Sequence, residues 1–314
     1  MANTNMLTTG RMPHQINVTF IDTFLPYVLG KTPHAQFAKK VKMPKKAGTK
    51  VKWSRLSPPT AQTTPLLEDS DPNPILPTRT DLEAEVAEYG AQMHKSKWLD
   101  LTEINGENAE IMDWMMKGSA LTIDELYKQM LATTATTLTA SSGATYGGSA
   151  TLMNKTDLDT AIQTLMNQDA EPITNKIYGS PKVGSTGLNE CYIGIMNTAL
   201  WSVAKEMSGW RDAITYGDRT SLYEGELGAS SGGRIRWIGT TRGYVSNSTY
   251  RCPIIARNAY GGVKIPGGDE VLGFKSAENA GSDMNRYSVV YWLLNQACRI
   301  LDDLNIITFI CTAT

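Results

Sequence analysis

The chain is short of charge. Asp, Glu, Lys and Arg make up 19% of its 314 residues, against roughly 25% in an average soluble domain. With 30 basic and 31 acidic groups the formal net charge is -1. That balance excludes a globally basic nucleic-acid binder and an acidic disordered chain. Cysteine is scarce as well. Cys191, Cys252, Cys298 and Cys311 stand far apart with no CxxC pair, so they read as free thiols of a reducing compartment. Three histidines occur, His14, His34 and His94. None lies at metal-binding spacing from another ligand type, and there is no HExxH; all three read as exposed or contact residues of an arm or ribbon. No run approaches the roughly 18 apolar residues of a membrane span. Met1 to Gly10 lacks the basic-then-apolar pattern of a secretory signal. The sequons at Asn17, Asn154 and Asn247 then read as chance, and the chain is expected to be made in a cytosol and to stay soluble.

Catalytic signatures are missing too. There is no GxSxG elbow, no GxxxxGK[ST] and no GxGxxG after a strand. The glycines from Gly143 to Gly148 are not followed by the Lys-Ser/Thr of a phosphate loop. The Asp302-Asp303 pair reads as a solvated face. No catalytic, cofactor-binding or metal-binding residue is assigned, and the chain is not expected to be an enzyme.

What is present is apolar. Hydrophobic residues make up 41%, and 27 glycines add nonpolar positions, so a sizeable core can form in one elaborate domain or two ordinary ones. Low charge on such a chain has two explanations. It is a Thr-rich and Gly-rich enzyme of ordinary kind, or its surface is covered by copies of itself.

The charge that exists is sorted. Between Asp22 and Glu68 no acid occurs, while Lys31, Lys39, Lys40, Lys42, Lys45, Lys46, Lys50, Lys52 and Arg55 do. The sign then reverses through Glu68, Asp69, Asp71, Asp81, Glu83, Glu85 and Glu88. Lys50 to Leu56 alternates polar with apolar residues, as a strand does. Asp81 to Tyr89 alternates again, with Leu82, Ala84 and Val86 on one face. Between the two lie Pro58, Pro59, Pro65, Pro72, Pro74 and Pro77, which keep a stretch extended and out of a central sheet. The pattern predicts a long two-stranded ribbon, one arm basic and one acidic. Such a ribbon is marginal alone in water, and its opposite charges suit packing against another copy. Contact with a protein fits better than contact with nucleic acid, because the acids follow so closely.

Helical spacing runs from about 107 to 134, through Ile111, Met112, Trp114 and Met115, then Leu121, Ile123, Leu126, Met130 and Leu131. A break is expected at Gly118-Ser119, with Thr122 and Glu125 as a capping box for a second helix. Residues 133–156 are Thr-, Ser- and Gly-rich and read as a linker. Further on, 157–167 and 198–207 read as helices, and 191–195, 234–238 and 289–293 as strands; 301–312 mixes both signals. The class is α+β, without internal repeats.

In their order along the chain, several segments resemble the major capsid proteins of tailed bacteriophages, with the Hong Kong-97-like fold, and more closely the podophage coat family typified by phage N-four. The resemblance is carried by Gly48-Thr49-Lys50-Val51-Lys52-Trp53-Ser54-Arg55, an opening ribbon strand, and Thr63-Thr64-Pro65-Leu66-Leu67-Glu68, a ribbon tip. It is carried also by Tyr89-Gly90 after Glu88, by Gly225-Glu226-Leu227-Gly228 before Gly233-Arg234-Ile235-Arg236-Trp237, and by Tyr291-Trp292 and Ile300-Leu301-Asp302-Asp303. It covers residues 15–312. One departure is Met196-Asn197, where that family has histidine-proline.

The resemblance implies an N-terminal arm (1–35), an extended loop over a neighbouring subunit (36–100), and a peripheral domain with a long spine helix (101–155). An axial domain (156–285) and a return segment of the peripheral domain (286–314) would follow. It implies self-assembly as hexamers and pentamers into an icosahedral shell around double-stranded DNA that is held without sequence-specific binding. Assembly in the host cytoplasm, a portal, a separate scaffolding protein and a decoration protein belong to the same expectation, as does a subunit beginning near Met1. No cofactor and no membrane are implied. Lys42, Lys45, Lys46, Lys50, Lys52, Arg55, Glu68, Asp69, Asp71, Glu83 and Glu85 are the expected intersubunit contacts. Two alternatives stay open, a cargo-enclosing nanocompartment of the same fold and a soluble α+β enzyme with an undetected site.

Overall fold

A computed structural model describes residues 32–44, 48–65, 68, 71, 74–102, 108–141, 151–175, 190–213, 225–265, 271–280 and 284–313. Strands and helices are numbered in chain order. The alternating segments of opposite charge form the expected ribbon. β2 (Lys50–Leu56) pairs antiparallel with β3 (Arg79–Glu85), setting Lys50 opposite Glu85, Trp53 opposite Leu82 and Leu56 opposite Arg79. The second alternating run is not one strand. At Val86 it leaves the ribbon, and β4 (Ala87–Ser96) joins a different sheet by pairing along β14 (Tyr287–Ile300). Periodicity cannot mark such a handover, because apolar residues alternate on both sides of it.

In that five-stranded sheet β4 takes one side of β14. β12 (Tyr260–Lys264) and β13 (Val271–Lys275) take successive stretches of the other, and β1 (Lys39–Lys42) lies parallel to β12 at the end. α1 (Lys97–Thr102) follows β4 directly. α2 (Asn108–Ala132) lies along the sheet, its Met115 buried with Val290, Trp292 and Leu294 of β14. α2 runs unbroken through Gly118-Ser119, contrary to the expected break. The Ser119 hydroxyl donates to the Met116 carbonyl at 2.7 Å and the Thr122 hydroxyl to the Gly118 carbonyl at 3.0 Å. These groups bond back into the helix instead of capping a new one.

The second sheet has the order β5 (Thr137–Thr139), β15 (Ile306–Thr312), β11 (Thr249–Ile255), β6 (Tyr192–Asn197), β9 (Ile235–Thr240), β8 (Glu226–Ser230) and β7 (Arg211–Asp212). β10 (Tyr244–Ser246) forms a hairpin on β11. β6 and β9 are parallel neighbours and almost wholly buried, as near-continuous apolar runs require. α3 (Lys155–Asn167) covers the sheet with Leu158, Ala161, Ile162 and Leu165, and Asn154 accepts the Asp157 N–H at its start. The Asn197 side chain accepts the Ala199 N–H and opens the turn into α4 (Trp201–Glu206), so the departure at Met196-Asn197 still starts a helical segment. Trp237 fills the core; its indole N–H donates to the Ser230 hydroxyl at 2.8 Å. A Cβ at Gly194 would lie 2.4 Å from that ring, so only glycine lets β6 and the indole approach.

The two sheets draw on the chain out of order. Within 156–285, β12 and β13 belong to the five-stranded sheet; within 286–314, β15 belongs to the larger one. The Thr-rich linker contributes β5. Of the histidines, His14 lies outside the described residues. His94 sits in β4, in the sheet rather than the ribbon, stacked on Tyr287 at 4.5 Å. His34 is buried: its ring Nδ1 lies 2.9 Å from Asp124 Oδ1 of α2, and its backbone N–H donates to the same oxygen at 3.1 Å. The Tyr260 hydroxyl donates to the His34 carbonyl at 2.6 Å. The chain entering β1 is thus fastened to the long helix and to β12.

Candidate intersubunit surface

The ribbon stands on an apolar root. Val51, Trp53, Ala84 and Val86 pack against buried Met43, Val263 and Ala297. Arg55 pairs with Asp302, and the Arg299 guanidinium donates to the Glu83 carbonyl, so the acid pair at Asp302-Asp303 is in part a ribbon anchor. Beyond the root no residue of β2 or β3 is buried.

Along the ribbon the two signs of charge meet each other. Lys52 Nζ lies 3.0 Å from Glu83 and 3.4 Å from Asp81. Hydrogen bonding to Glu83, then to Asp81, raises the Lys52 ammonium above its ordinary range. The Ser54 hydroxyl and the Arg79 Nε both donate to Asp81 at 2.8 Å. The hydroxyl first, then the guanidinium, holds the Asp81 carboxyl down at about 2. Of the expected contacts, Lys52, Glu83 and Arg55 are therefore engaged within their own chain. Lys50 and Glu85 face each other in register, and Lys42 is exposed on β1. Glu68 and Asp71 are exposed near the tip. Lys45, Lys46, Asp69 and Leu66 lie outside the described residues.

The remaining residues of the resemblance are mostly structural. Trp53 is half-buried in the root, and Pro65 is exposed. Tyr89 packs against the cluster of Met115 and Leu294. A Cβ at Gly90 would lie 2.9 Å from the Trp292 carbonyl, and one at Gly228 would lie 2.5 Å from the Arg211 carbonyl. Gly225 has φ +83°, where glycine is favoured. Glu226 is buried and accepts from Arg236 at 2.9 Å.

The surface also shows large apolar groups that charge patterning did not single out. Leu76, on the way back from the tip, is 88% exposed, beside exposed Ile75. On α1, Trp98 is 74% and Leu101 71% exposed, with Leu99 between them. Their sequence signal is an apolar pair between Pro74 and Pro77, and a Trp-Leu-x-Leu run just after a strand. Neither segment can reach its own core. Among the described residues no helix is long and apolar enough to cross a membrane. Among the described residues no cluster of His, Cys, Asp and Glu is placed to hold a metal. Burial pushes the thiols of Cys191 and Cys298 up, the latter to about 11, which disfavours a reactive thiolate.

No protein-family profile and no curated protein matches the chain. Solved structures do. The acid-stable capsid structure of Helicobacter pylori bacteriophage KHP30 matches with a TM-score of 0.71 at 12% identity, covering 99% of this chain and 100% of that one. The capsid structure of cyanophage P-SCSP1u matches with a TM-score of 0.65 at 13% identity, covering 98% and 96%. The capsid of Ralstonia phage GP4 matches with a TM-score of 0.65 at 12% identity, covering 96% of each chain. At such identities the likeness concerns the fold, and from end to end this chain has the α+β fold of phage capsid chains, the Hong Kong-97-like fold that its sequence resembles.

Proposed function

We propose that the chain is a major capsid protein, which assembles as hexamers and pentamers into the icosahedral shell of a tailed bacteriophage around its double-stranded DNA. The observation that carries this reading is the likeness to phage capsid chains over nearly the whole length of both partners. A likeness confined to one sheet would leave the ribbon unexplained; here the ribbon is included. The exposed apolar groups support it. Ile75, Leu76, Trp98 and Leu101 cost free energy in water and gain it when a neighbour covers them. In this reading the five-stranded sheet with α2 is the peripheral domain and the eight-stranded sheet the axial domain. The ribbon tip reaches a neighbouring subunit with Glu68, Asp71, Ile75 and Leu76, while the pairs of Lys52 stiffen it from within. Individual contacts are weak, and repetition over a shell makes them durable. The role is structural, not enzymatic, and assembly in the host cytoplasm on a scaffolding protein, with a portal, follows from the same reading.

Negative-stain microscopy of the purified full-length product tests it. Closed shells or hexamer–pentamer lattices are expected. Small uniform particles at every concentration would overturn it.

A further inference from the structure

Folding divides the basic part of the chain in two. On β2, Lys52 is neutralised by Asp81 and Glu83, and Lys50 faces Glu85. β1 has no such counterpart. It is the end strand of its sheet, and β12 sets Gly261, Gly262, Val263 and Lys264 opposite Lys39, Lys40, Val41 and Lys42. No acid stands in that register; Lys264 adds a fourth positive charge. Lys39, Lys40 and Lys42 are exposed and Lys264 is half-buried, and none of the four makes an ion pair among the described residues.

The faces can be assigned. A side chain at Gly262 would run into the Tyr127 hydroxyl of α2, so that position faces the long helix. Positions two apart on a strand share a face, which puts Lys264, and with it Lys40 and Lys42, on the helix side. Val263 lies under the ribbon root on the opposite face. Lys40, Lys42 and Lys264 are therefore turned away from the ribbon and from its acids, while Lys39, opposite Gly261, falls on the ribbon face.

Residue type selects the partner. Protein–protein interfaces are enriched in arginine and aromatic side chains and depleted in lysine. β1 carries lysine alone, with neither. Lysine is a hydrated point charge without the fork that reads carboxylates or bases. It suits phosphates, which position a duplex without reporting its sequence. With a strand rise of about 3.3 Å and a strand spacing of about 4.8 Å, the three charges of Lys40, Lys42 and Lys264 fall within a patch roughly 10 Å across. A duplex carries one charge per about 1.7 Å of axis, so such a patch displaces several counterions at once. We infer that the β1 edge, through Lys40, Lys42 and Lys264, is a contact surface for the phosphate backbone of nucleic acid. The inference rests on the capsid reading only for the identity of that nucleic acid, the packaged double-stranded DNA.

The test is fluorescence anisotropy of a labelled DNA duplex of arbitrary sequence with the full-length subunit across a salt series. Three phosphate contacts give a slope of about -2.7 in log affinity against log salt, on the order of a fortyfold loss between about 50 and 200 mM. Replacing all three lysines by glutamine is expected to remove most of that slope. Replacing them by arginine is expected to keep it, with circular dichroism confirming both folds. A subunit that binds no duplex at low salt overturns the inference. So does a glutamine variant with the parental slope, or an arginine variant that loses binding equally. A glutamine variant that keeps DNA binding but self-associates through its strands would assign the lysines to guarding a free edge, which also overturns it. Shell formation is scored separately by microscopy, so absent shells would count against the capsid reading alone.

Discussion

In β9 every residue from Ile235 to Thr240 is buried, whereas in β2 and β3 none is. The eight-stranded sheet is closed around Trp237, Phe309, Ile193 and Leu165, and its stability comes from within the chain. The ribbon has an apolar root and, beyond it, only a ladder of backbone bonds and surface charge. A ribbon of two strands is marginal on those terms. On the proposed capsid reading, the difference lodges stability in the sheet and assembly in the ribbon, so that mutation can damage one and spare the other.

Three variants put that separation under strain, in descending order of effect on stability. Trp237→Ala empties the core and orphans the Ser230 hydroxyl; a loss of about 3–5 kcal/mol is expected, read by urea unfolding of the full chain. His34→Ala leaves the buried Asp124 carboxylate without its ring partner, and Asp124 Oδ2 already has none. It is expected to cost about 1–3 kcal/mol and to speed proteolysis ahead of β1. The paired change Ile75→Asp and Leu76→Asp sits at exposed positions and is expected to move unfolding by less than about 0.5 kcal/mol. It is nevertheless expected to abolish shells in the microscope. Normal shells from that variant, or a collapse of its stability, would break the comparison.

Legibility in the sequence follows the same divide. The limits of β2 could be read to the residue because Lys50 to Leu56 alternates against solvent, and those of α2 to within two residues because apolar residues from Ile111 to Leu131 recur at spacings of three and four, although the break expected at Gly118-Ser119 is absent. β12 and β13 were not singled out. Gly261, Gly262 and Gly273 interrupt their apolar pattern, yet each is small because Leu301, Tyr127 or Tyr291 needs the space. That requirement is set by tertiary approach and has no local signal. β14 was visible only in its Val289–Leu293 centre, although it spans 14 residues, because Asn295 and Gln296 break its apolar run. The charged ribbon was legible as a pattern, and its partner was not. Opposite arms suggested pairing between copies, while the register shows that Lys52 finds Asp81 and Glu83 in its own chain. Exposed Leu76 and Trp98 could have been found by asking which apolar residues have no core within reach.

The smallest expected effect is also the most selective. Asp81 titrates at about 2 in the folded ribbon, below the ordinary value of 3.8. A depressed carboxylate stabilises the fold above its unfolded pKa and ceases to do so as pH falls through the folded one. The cross-strand network of Ser54, Arg79 and Lys52 should therefore be complete above about pH 4 and lost progressively toward about pH 2. The raised Lys52 works in the other direction: its contribution is full below 10.5 and fades only at higher, strongly alkaline pH. Between those limits the ribbon should be insensitive to pH. The protection factors of Val51 to Leu56 on the full chain, exchange rates corrected for the intrinsic slowing of exchange in acid, should fall on acidification over that window before those of β6 and β9 change. Asp81→Asn should remove the acid-dependent step, because the residue that titrates is gone, while the exchange of β6 stays at the parental rate. Simultaneous loss of protection in β2 and β6 would mean that acid unfolds the chain as one unit and that the ribbon has no separate stability to lose.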